Sequence, residues 1–427
     1  MGAGITGLSA GINLKANIYE ATSRPGGICA SYYVDLEGKR FYSRKKEETY
    51  RFEIGGGHWI WGMGPFILNF INRLSSIKSY QRNVAVYFPE ENLFIPYPLQ
   101  NHLSYLPKNI GRRVVNEIMK PEERNPETLA DWLKIKFGKT LCELFFFPFH
   151  ELYTAGLYTK IAPQDRFKTP VDKNLIIEGT TKETPVAGYN TTFVYPEKGL
   201  DDLIRRMEER CKINYNKKAV KIDIKRREVL FKDGSGIKYK EVISTLPLNK
   251  MIEITGIEID EKPPPYVSVL VISIGAKRGK RCPNYHWLYI PKSKSGFHRV
   301  GFYSNVDNSF LPLSSRGDNS RISIYVEKSY RGGSKVIKEE IKKLTKSIIG
   351  ELQNWKFIDR IEVIDSTWIE VAYAYSYPSS LWREKAIKKL ASFHVYQVGR
   401  YGLWKLEGKG IVDSIRDGLN VRSRNEK

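Results

Sequence analysis

Apolar and polar residues follow two different periods along the chain, and these periods predict its helices and strands. A helix is expected over 335–352, where Ile337, Ile341 and Ile348 share one face at helical spacing. Further helices are predicted over 126–137, 140–153 and 200–210. Alternation with a period of two predicts strands at 219–224, 228–232, 237–242, 266–274, 285–290, 297–305 and 321–326.

Glycines at the start of the chain have the spacing of a dinucleotide-binding turn. Gly2, Gly4 and Gly7 form a G-x-G-x-x-G sequence. Such glycines permit a tight turn, a close approach of a diphosphate to the backbone amides and close packing of the next helix. The strand-like segment 18–20 ends in Glu20, an acid that can accept hydrogen bonds from an adenosine ribose.

Two more glycine clusters follow in the same part of the chain. Arg24 precedes Gly26 and Gly27, and the strand-like segment 52–57 ends in three glycines before His58. A single glycine cluster usually marks an ordinary turn. Three clusters in this order favour a single extended cofactor that approaches the backbone at several points.

The residues before the first glycine turn are too few for a complete dinucleotide-binding fold. Such folds place a hydrophobic strand ahead of the first glycine, and only Met1 precedes Gly2. We therefore expect either that the start codon was assigned downstream of the true one or that the sheet lacks its first strand.

Three segments resemble the flavin-containing amine oxidase superfamily, namely GAGITGL (2–8), YEATSRPGG (19–27) and FEIGGGHWIWG (52–62). This superfamily includes protoporphyrinogen oxidases and UDP-galactopyranose mutases. Other segments are similar to the eukaryotic mutases, namely PYPLQN (96–101), GYNTTF (188–193), WLYIP (287–291), FHR (297–299), FYSN (302–305) and GRYGLW (399–404). The resemblance therefore runs along nearly the whole chain.

This resemblance implies a particular α/β fold. It has a discontinuous Rossmann-like FAD-binding domain, whose first strand would be missing here, with an inserted helical domain and a mixed substrate-binding sheet. The FAD-binding domain is expected over 1–68, 189–250 and 385–427. The mainly helical insert is expected over 69–188, and the antiparallel substrate-binding sheet with its helix over 251–384.

The resemblance also implies roles for individual residues. His58 would lie against the flavin and Arg299 would bind the substrate diphosphate. Tyr289, Tyr377 and Asn190 would orient the substrate. The residues expected to bind the cofactor are Gly2, Gly4, Gly7, Glu20, Arg24, Gly26, Gly27, Gly56, Gly57, His58, Arg400, Gly410 and Ile411.

Three positions depart from the mutase pattern. Phe147 stands where the mutases have a second diphosphate-binding arginine. Thr154 stands where the mutases have an aromatic residue of the uridine site, and Leu406 stands where they have an active-site tyrosine. The loss of one charge-assisted contact to a diphosphate weakens binding strongly unless another group replaces it.

The leading hypothesis is an FAD-dependent enzyme that interconverts the pyranose and furanose forms of a UDP-sugar. The resemblance implies reduced FAD, NAD(P)H as the candidate reductant, and a role in cell-surface glycan biosynthesis. Two alternatives stay open. The three departures favour an FAD-dependent oxidoreductase of the amine oxidase or protoporphyrinogen oxidase type. The missing strand favours a non-catalytic or FAD-poor homologue.

Composition changes this interpretation little. The 69 Lys and Arg residues exceed the 47 Asp and Glu residues and give a formal charge of +22. No recognition module accompanies the basic runs, so we expect a small-molecule substrate, such as a nucleotide sugar, and no nucleic acid. No apolar run is long enough to span a membrane, and no signal peptide is expected. The four cysteines lack metal-ligand spacing, which predicts no metal, reduced thiols and a cytoplasmic location.

Overall fold

The computed structural model describes residues 1–43, 48–62, 64–120, 124–163, 172–185, 191–406 and 410–422. Its α-helices are α1 (Ile5–Leu14), α2 (Pro65–Leu74), α3 (Lys108–Met119), α4 (Leu129–Leu141), α5 (Phe147–Tyr153), α6 (Lys173–Glu178), α7 (Leu200–Glu208), α8 (Leu248–Thr255), α9 (Tyr303–Val306), α10 (Lys338–Asn354), α11 (Trp382–Ala391), α12 (Gly399–Gly402) and α13 (Ile411–Leu419). A π-helical turn, Cys142–Phe146, joins α4 to α5. The 3-10 turns are Leu99–Asn101, Leu103–Tyr105, Leu157–Thr159, Asn308–Phe310 and Leu313–Ser315.

The strands of the described residues form several separate sheets. They are β1 (Asn17–Tyr19), β2 (Ser31–Asp35), β3 (Arg40–Phe41), β4 (Thr49–Glu53), β5 (Ile60–Trp61), β6 (Ile77–Gln81), β7 (Val84–Phe88), β8 (Leu93–Pro96), β9 (Thr192–Pro196), β10 (Lys212–Asn214), β11 (Ala219–Asp223), β12 (Glu228–Phe231), β13 (Gly236–Lys238), β14 (Val242–Ser244), β15 (Tyr266–Arg278), β16 (Trp287–Tyr289), β17 (Arg299–Phe302), β18 (Arg321–Arg331), β19 (Ile358–Ala374) and β20 (Val395–Gln397).

The N-terminal residues lie between two parallel strand pairs, β1 with β10 and β14 with β20. The Gly2 amide donates to the Tyr19 carbonyl at 2.9 Å, and the Thr245 amide donates to the Met1 carbonyl at 3.1 Å. The amino group of Met1 also donates to the Ile243 carbonyl. Met1 and Gly2 thus form backbone hydrogen bonds at the place in the sheet where the sequence predicts that the first strand is missing.

Helix α1 leaves this sheet edge and packs against α13. Gly418 of α13 permits the close approach, because a Cβ at that position would lie 2.4 Å from the Thr6 carbonyl oxygen. The two helices begin at Ile5 and Ile411, so this contact joins segments from opposite ends of the sequence.

A large mixed sheet forms the other half of the structure. Its strand order is β19-β15-β18-β17-β16-β7-β8. The β16–β7 pair is parallel and the remaining pairs are antiparallel. This mixed sheet with its helices confirms the predicted fold class.

The segment predicted as a mainly helical insert also contributes strands. Strand β6 pairs with β9, while β7 and β8 join the large sheet. The helices α3, α4 and α5 pack in one apolar cluster, which includes Val86 of β7. The division into three domains with the boundaries given above stays a prediction.

The turn between α4 and α5 brings aromatic side chains towards the large sheet. The Thr128 hydroxyl accepts a hydrogen bond from the Asp131 amide at 3.1 Å, and the Asp131 carboxylate accepts one from the Thr128 amide at 3.1 Å, a capping box that begins α4. Gly138 has a φ of 73° and kinks the helix before the π-helical turn. Such turns are frequent at functional sites, and this one places Phe145 and Phe146 on the cavity described below.

Candidate active site

One continuous cavity of about 740 Å³ connects the glycine turns to the large sheet. At one end lie Gly2, Glu20 and Thr245, beside the parallel strands. At the other end lie Tyr289 and Arg299, on the large sheet. The cavity therefore joins the predicted cofactor residues to the predicted substrate residues.

The first glycine turn places the N-terminus of α1 at the cavity. Gly4 precedes α1, and open space lies where its Cβ would be. A Cβ on Gly7 would lie 1.8 Å from the Gly2 carbonyl oxygen, so only glycine permits this packing. The amides at the start of α1 and the positive end of its dipole favour a bound anion such as a diphosphate.

Glu20 supports the turn from the end of β1. Its Oε2 accepts a hydrogen bond from the Ala3 amide at 2.7 Å, and its Oε1 accepts one from the Thr22 amide at 2.9 Å. Gly26 lies opposite, where its amide donates to the Ala3 carbonyl at 2.8 Å. The first two glycine clusters thus meet around residues 2–4, as the order of the motifs predicts.

The third glycine cluster places His58 in the middle of the cavity. The residue is half-buried, and its Nδ1 atom is buried without a hydrogen-bond partner among the described residues. Burial, together with the nearby Arg400 guanidinium, lowers the pKa of His58 to about 4. The imidazole is therefore neutral at physiological pH. Gly410 and Ile411, at the start of α13, line the same part of the cavity.

These features fit FAD. The glycine turn and the N-terminus of α1 can hold its diphosphate, and Glu20 lies at the end expected for the adenosine ribose. The cavity continues past His58 and Arg400, which line the stretch between the diphosphate end and the large sheet. The donor set, rich in backbone amides, matches an extended dinucleotide that carries a diphosphate.

Arg299 lies on the large sheet beyond this middle section. It occupies β17, directly opposite Tyr289 of β16 and Glu327 of β18. The guanidinium donates a hydrogen bond to the Glu327 carboxylate. A fifth of the Arg299 side chain is exposed, whereas only 2% of the Glu327 side chain is. Arg299 therefore reaches the cavity, while the Glu327 carboxylate that pairs with it stays buried.

Glu327 has further partners in the same place. His298 Nε2 lies 3.6 Å from its carboxylate, and the Gly57 amide donates to Oε1 at 3.4 Å. Burial raises the pKa of Glu327, but the Arg299 guanidinium and His298 outweigh burial and hold this pKa at about 2. The carboxylate is therefore ionised at every pH of interest and neutralises part of the charge of Arg299.

Aromatic rings cover the wall beside Arg299. The Tyr97 ring lies 5.0 Å from the Tyr289 ring, and the Phe149 ring lies 5.2 Å from the Tyr289 ring on another side. The Tyr153 ring lies 4.9 Å from the Tyr373 ring. Burial raises the pKa of Tyr373 to about 12, so its hydroxyl stays protonated and can donate a hydrogen bond.

Most of the residues predicted from the sequence line this cavity. They are Gly2, Gly4, Glu20, Gly26, Gly27, Gly57, His58, Tyr289, Arg299, Arg400, Gly410 and Ile411. Gly7 and Gly56 support the turns from behind, and Gly56 has a φ of 74° beside Glu327. Arg24 packs instead on Tyr42, with its guanidinium carbon 3.4 Å from the ring centroid.

One predicted substrate residue does not line the cavity, and another cannot be placed relative to it. Tyr377 lies after the end of β19, where the Lys262 ammonium is 4.9 Å from its ring. Asn190 falls outside the described residues.

The three departures from the mutase pattern have different surroundings. Phe147 packs on Tyr158, with ring centroids 5.6 Å apart. Thr154 is fully buried and its hydroxyl donates to the His150 carbonyl at 2.6 Å. Only Leu406 of the three lines the cavity.

Several cavity residues were not predicted. They include Glu327, Arg82, His150 and His298, which come from separate elements, and of these only His298 lies within a quoted motif, FHR. His298 is adjacent to Arg299, and the hydrophobic alternation around 321–326 leads directly to Glu327, but cross-strand register is needed to bring these groups together. Among the described residues, no group of three or more His, Cys, Asp and Glu side chains could hold a metal ion. No described helix is both long enough and apolar enough to cross a membrane.

Known proteins match both the sequence and the fold. Residues 5–272 match the family model "Flavin containing amine oxidoreductase". A solved structure of reduced UDP-galactopyranose mutase is similar, with 22% identity and a TM-score of 0.81, covering 98% of this chain and 91% of that one.

Oxidase structures are also similar. A protein from Exiguobacterium sp. 255-15, provisionally named a protoporphyrinogen oxidase, has 13% identity and a TM-score of 0.70, covering 98% of this chain and 96% of that one. Putrescine oxidase bound to putrescine has 13% identity and a TM-score of 0.55, with coverage of 98% and 96%. At these identities the neighbours establish the fold alone. The chain belongs to the flavin-containing amine oxidoreductase family, and it is a flavoenzyme whose cofactor is FAD.

Proposed function

We propose that this flavoenzyme interconverts the pyranose and furanose forms of a UDP-sugar. The observation that carries the proposal is the position of Arg299 and Tyr289 on the large sheet, in the cavity that continues from the cofactor residues. The neighbouring mutase fold supports the same reaction class. The substrate would lie between the sheet and the cofactor.

The side chains of this cavity suit a reaction in which a diphosphate departs and returns. Arg299 would stabilise the negative charge of the diphosphate, while Tyr289 and Tyr373 would orient it with their hydroxyls. The aromatic wall around Phe149 would exclude water, which would otherwise hydrolyse a reactive sugar. Neutral His58 would contact the cofactor without adding charge. When bound in its reduced form, FAD supplies the electron-rich centre that this isomerisation requires.

Incubation of reduced protein with UDP-galactopyranose tests the proposal. We expect the dithionite-reduced, flavin-loaded protein to form a furanose product that chromatography separates from the substrate, and the oxidised protein to form none. NAD(P)H should replace dithionite if it is the natural reductant. Unchanged substrate in the presence of fully reduced, bound flavin would contradict the proposal.

An oxidoreductase is the second candidate, and a specific observation favours it. Glu327 neutralises part of the charge of Arg299, and the cavity also contains the apolar groups Phe145, Phe146 and Leu406. An amine or a hydrophobic ring system would suit such a lining. Anaerobic mixing distinguishes the candidates, since an oxidase substrate bleaches the flavin, whereas a mutase substrate causes no net reduction.

A non-catalytic or FAD-poor protein is the remaining alternative. Purified protein should carry flavin absorbance in near-stoichiometric amount if the cavity functions as we propose. Colourless protein that fails to take up added FAD would favour this alternative. A cytoplasmic location and a role in glycan biosynthesis stay predictions.

A further inference from the structure

A diphosphate needs more positive charge than Arg299 provides. Arg299 is already paired with Glu327, so the pair adds little net charge to the cavity. Phe147 offers no replacement, because its phenyl ring carries no charge, and it packs on Tyr158. If the proposed function holds, another cation must face the diphosphate, since a buried phosphate without a counter-charge is costly.

Four lysine and arginine side chains line the cavity within the described part of the chain, namely Arg82, Lys250, Arg299 and Arg400. Lys250 is at the adenosine end, where it pairs with Glu370 at 3.0 Å. Arg400 is near His58, whose pKa it helps to lower. Arg82 lies beside Tyr97, whose ring contacts Tyr289 at the substrate end.

Arg82 is held firmly at the edge of the substrate end. It follows β6, and its amide donates to the Thr191 carbonyl at 2.8 Å, which extends the pairing of β6 with β9 by one residue. Only 8% of the residue is exposed. The backbone position of Arg82 is therefore fixed by the sheet.

The side chain of Arg82 lies against the aromatic wall of the cavity. Its guanidinium carbon lies 5.3 Å from the centroid of the Tyr97 ring, and the Tyr97 ring lies 5.0 Å from the Tyr289 ring. Tyr289 is the direct cross-strand partner of Arg299. Arg82 and Arg299 are thus linked through the neighbouring residues Tyr97 and Tyr289, and all four residues line the cavity.

We propose that Arg82 is the second diphosphate-binding cation, opposite Arg299, and that it takes the role of the arginine missing at Phe147. The ligand class is a nucleoside diphosphate, held between two guanidinium groups with tyrosine hydroxyls between them. A guanidinium suits this role because it stays charged when buried and can donate two parallel hydrogen bonds to a phosphate. The inference rests on the proposed function, and it assigns one of that site's binding groups.

Binding of UDP, UMP and uridine to the flavin-loaded protein tests this assignment. We expect Arg82→Gln to weaken UDP binding about 10- to 100-fold, the effect of one lost charge-assisted hydrogen-bonded contact, and to change uridine binding less than about twofold. UMP should show an intermediate loss. The matched control is Arg73→Gln on the exposed side of α2, which should bind all three ligands as the wild type does.

A second variant covers the case in which Arg82→Gln does not fold or does not bind flavin. Arg82→Lys retains the charge but not the planar fork, so the preference for UDP over uridine should fall severalfold. In turnover, both variants should raise KM more than they lower kcat. An unchanged UDP-to-uridine ratio in a folded, flavin-loaded Arg82 variant would overturn the assignment while leaving the proposed function intact. A wild-type protein that binds no UDP would overturn both.

Discussion

At the scale of single residues, Glu327 connects the two halves of the active site. Its carboxylate pairs with Arg299 on the neighbouring strand and lies 3.4 Å from the amide of Gly57 in the third glycine cluster. The side chain is almost completely buried. Glu327 therefore fixes the position of a substrate-side charge relative to the turn that carries His58.

We expect Glu327→Gln to lower the free energy of unfolding by about 3 kcal/mol, because it leaves Arg299 without its counter-charge. This value is at the low end for breaking a buried ion pair, since Arg299 keeps part of its side chain exposed. Urea denaturation measures the change. The double variant Arg299→Met/Glu327→Met should lose less than the sum of the two single changes. Wild-type stability for Glu327→Gln would contradict the pairing.

A second residue-scale prediction concerns His286, outside the cavity. Its Nδ1 accepts a hydrogen bond from the Asn83 amide at 3.3 Å, and burial lowers the pKa of its ring to about 4. A histidine with a lowered pKa stabilises the fold fully above pH 6.5, and this contribution is lost as the pH falls towards 4.

Replacing His286 with Asn should therefore reduce the acid sensitivity of the protein. Between pH 7 and pH 4.5, we expect the wild type to lose about 2 kcal/mol through this group, and His286→Asn to lose correspondingly less. Denaturant unfolding at the two pH values measures both. Equal losses in wild type and variant would show that another group causes the acid sensitivity.

At the scale of elements, local patterns predicted helices better than they predicted strand partners. The helix expected over 335–352 is α10 (Lys338–Asn354), and the amphipathic spacing was sufficient because a helix forms its hydrogen bonds within one segment. Strand β7 is buried along its whole length, yet its parallel partner β16 comes from a distant part of the sequence. Such pairing cannot be read from local alternation.

The end of β19 shows a similar limit. The alternating Tyr373, Tyr375 and Tyr377 suggest one strand face, but β19 ends at Ala374. The Tyr375 amide still donates to the carbonyl of Pro265, the residue before β15, but the Tyr375 ring joins the helical apolar cluster. Only Tyr373 of the three reaches the cavity. A proline follows Tyr377, and it disfavours further strand pairing.

The start of α1 gives an element-scale prediction. Gly7→Ala should abolish or strongly weaken flavin binding, because its Cβ would lie 1.8 Å from the Gly2 carbonyl oxygen and displace the turn that holds the diphosphate. Flavin absorbance after purification measures the occupancy. Gly350→Ala is the matched control, since a Cβ at this glycine in α10 meets nothing within 4 Å. It should keep the flavin and gain about 0.5–1 kcal/mol of stability. Full occupancy in Gly7→Ala would contradict this role for the turn.

At the scale of the whole molecule, the active-site cavity is assembled from segments spread over the entire sequence. Glu20, Thr245 and Arg400 line one cavity. The glycine motifs identified the cofactor side because each motif combines several residues that are close in sequence. The substrate side could be predicted only in part, since Arg299 and Glu327 meet there through the register of β17 and β18.

FAD should therefore stabilise the protein as a whole. At a free concentration of 100 times its Kd, FAD should raise the free energy of unfolding by about 3 kcal/mol. Thermal unfolding of flavin-free protein with and without added FAD measures the shift. FMN, which lacks the adenosine that would reach Glu20, should give a smaller shift. Identical shifts with FMN and FAD would contradict the placement of the adenosine end.

The pairing of Met1 with residues 243 and 245 has a consequence for biosynthesis. Met1 cannot complete its hydrogen bonds until residue 245 has been made, and β7 cannot pair with β16 until residue 289 has been made. The high sequence separation of these contacts predicts slow folding, with apolar strands such as β7 exposed during synthesis. Chaperone binding to the nascent chain would be concentrated in that interval, before residue 289 emerges and β16 is complete.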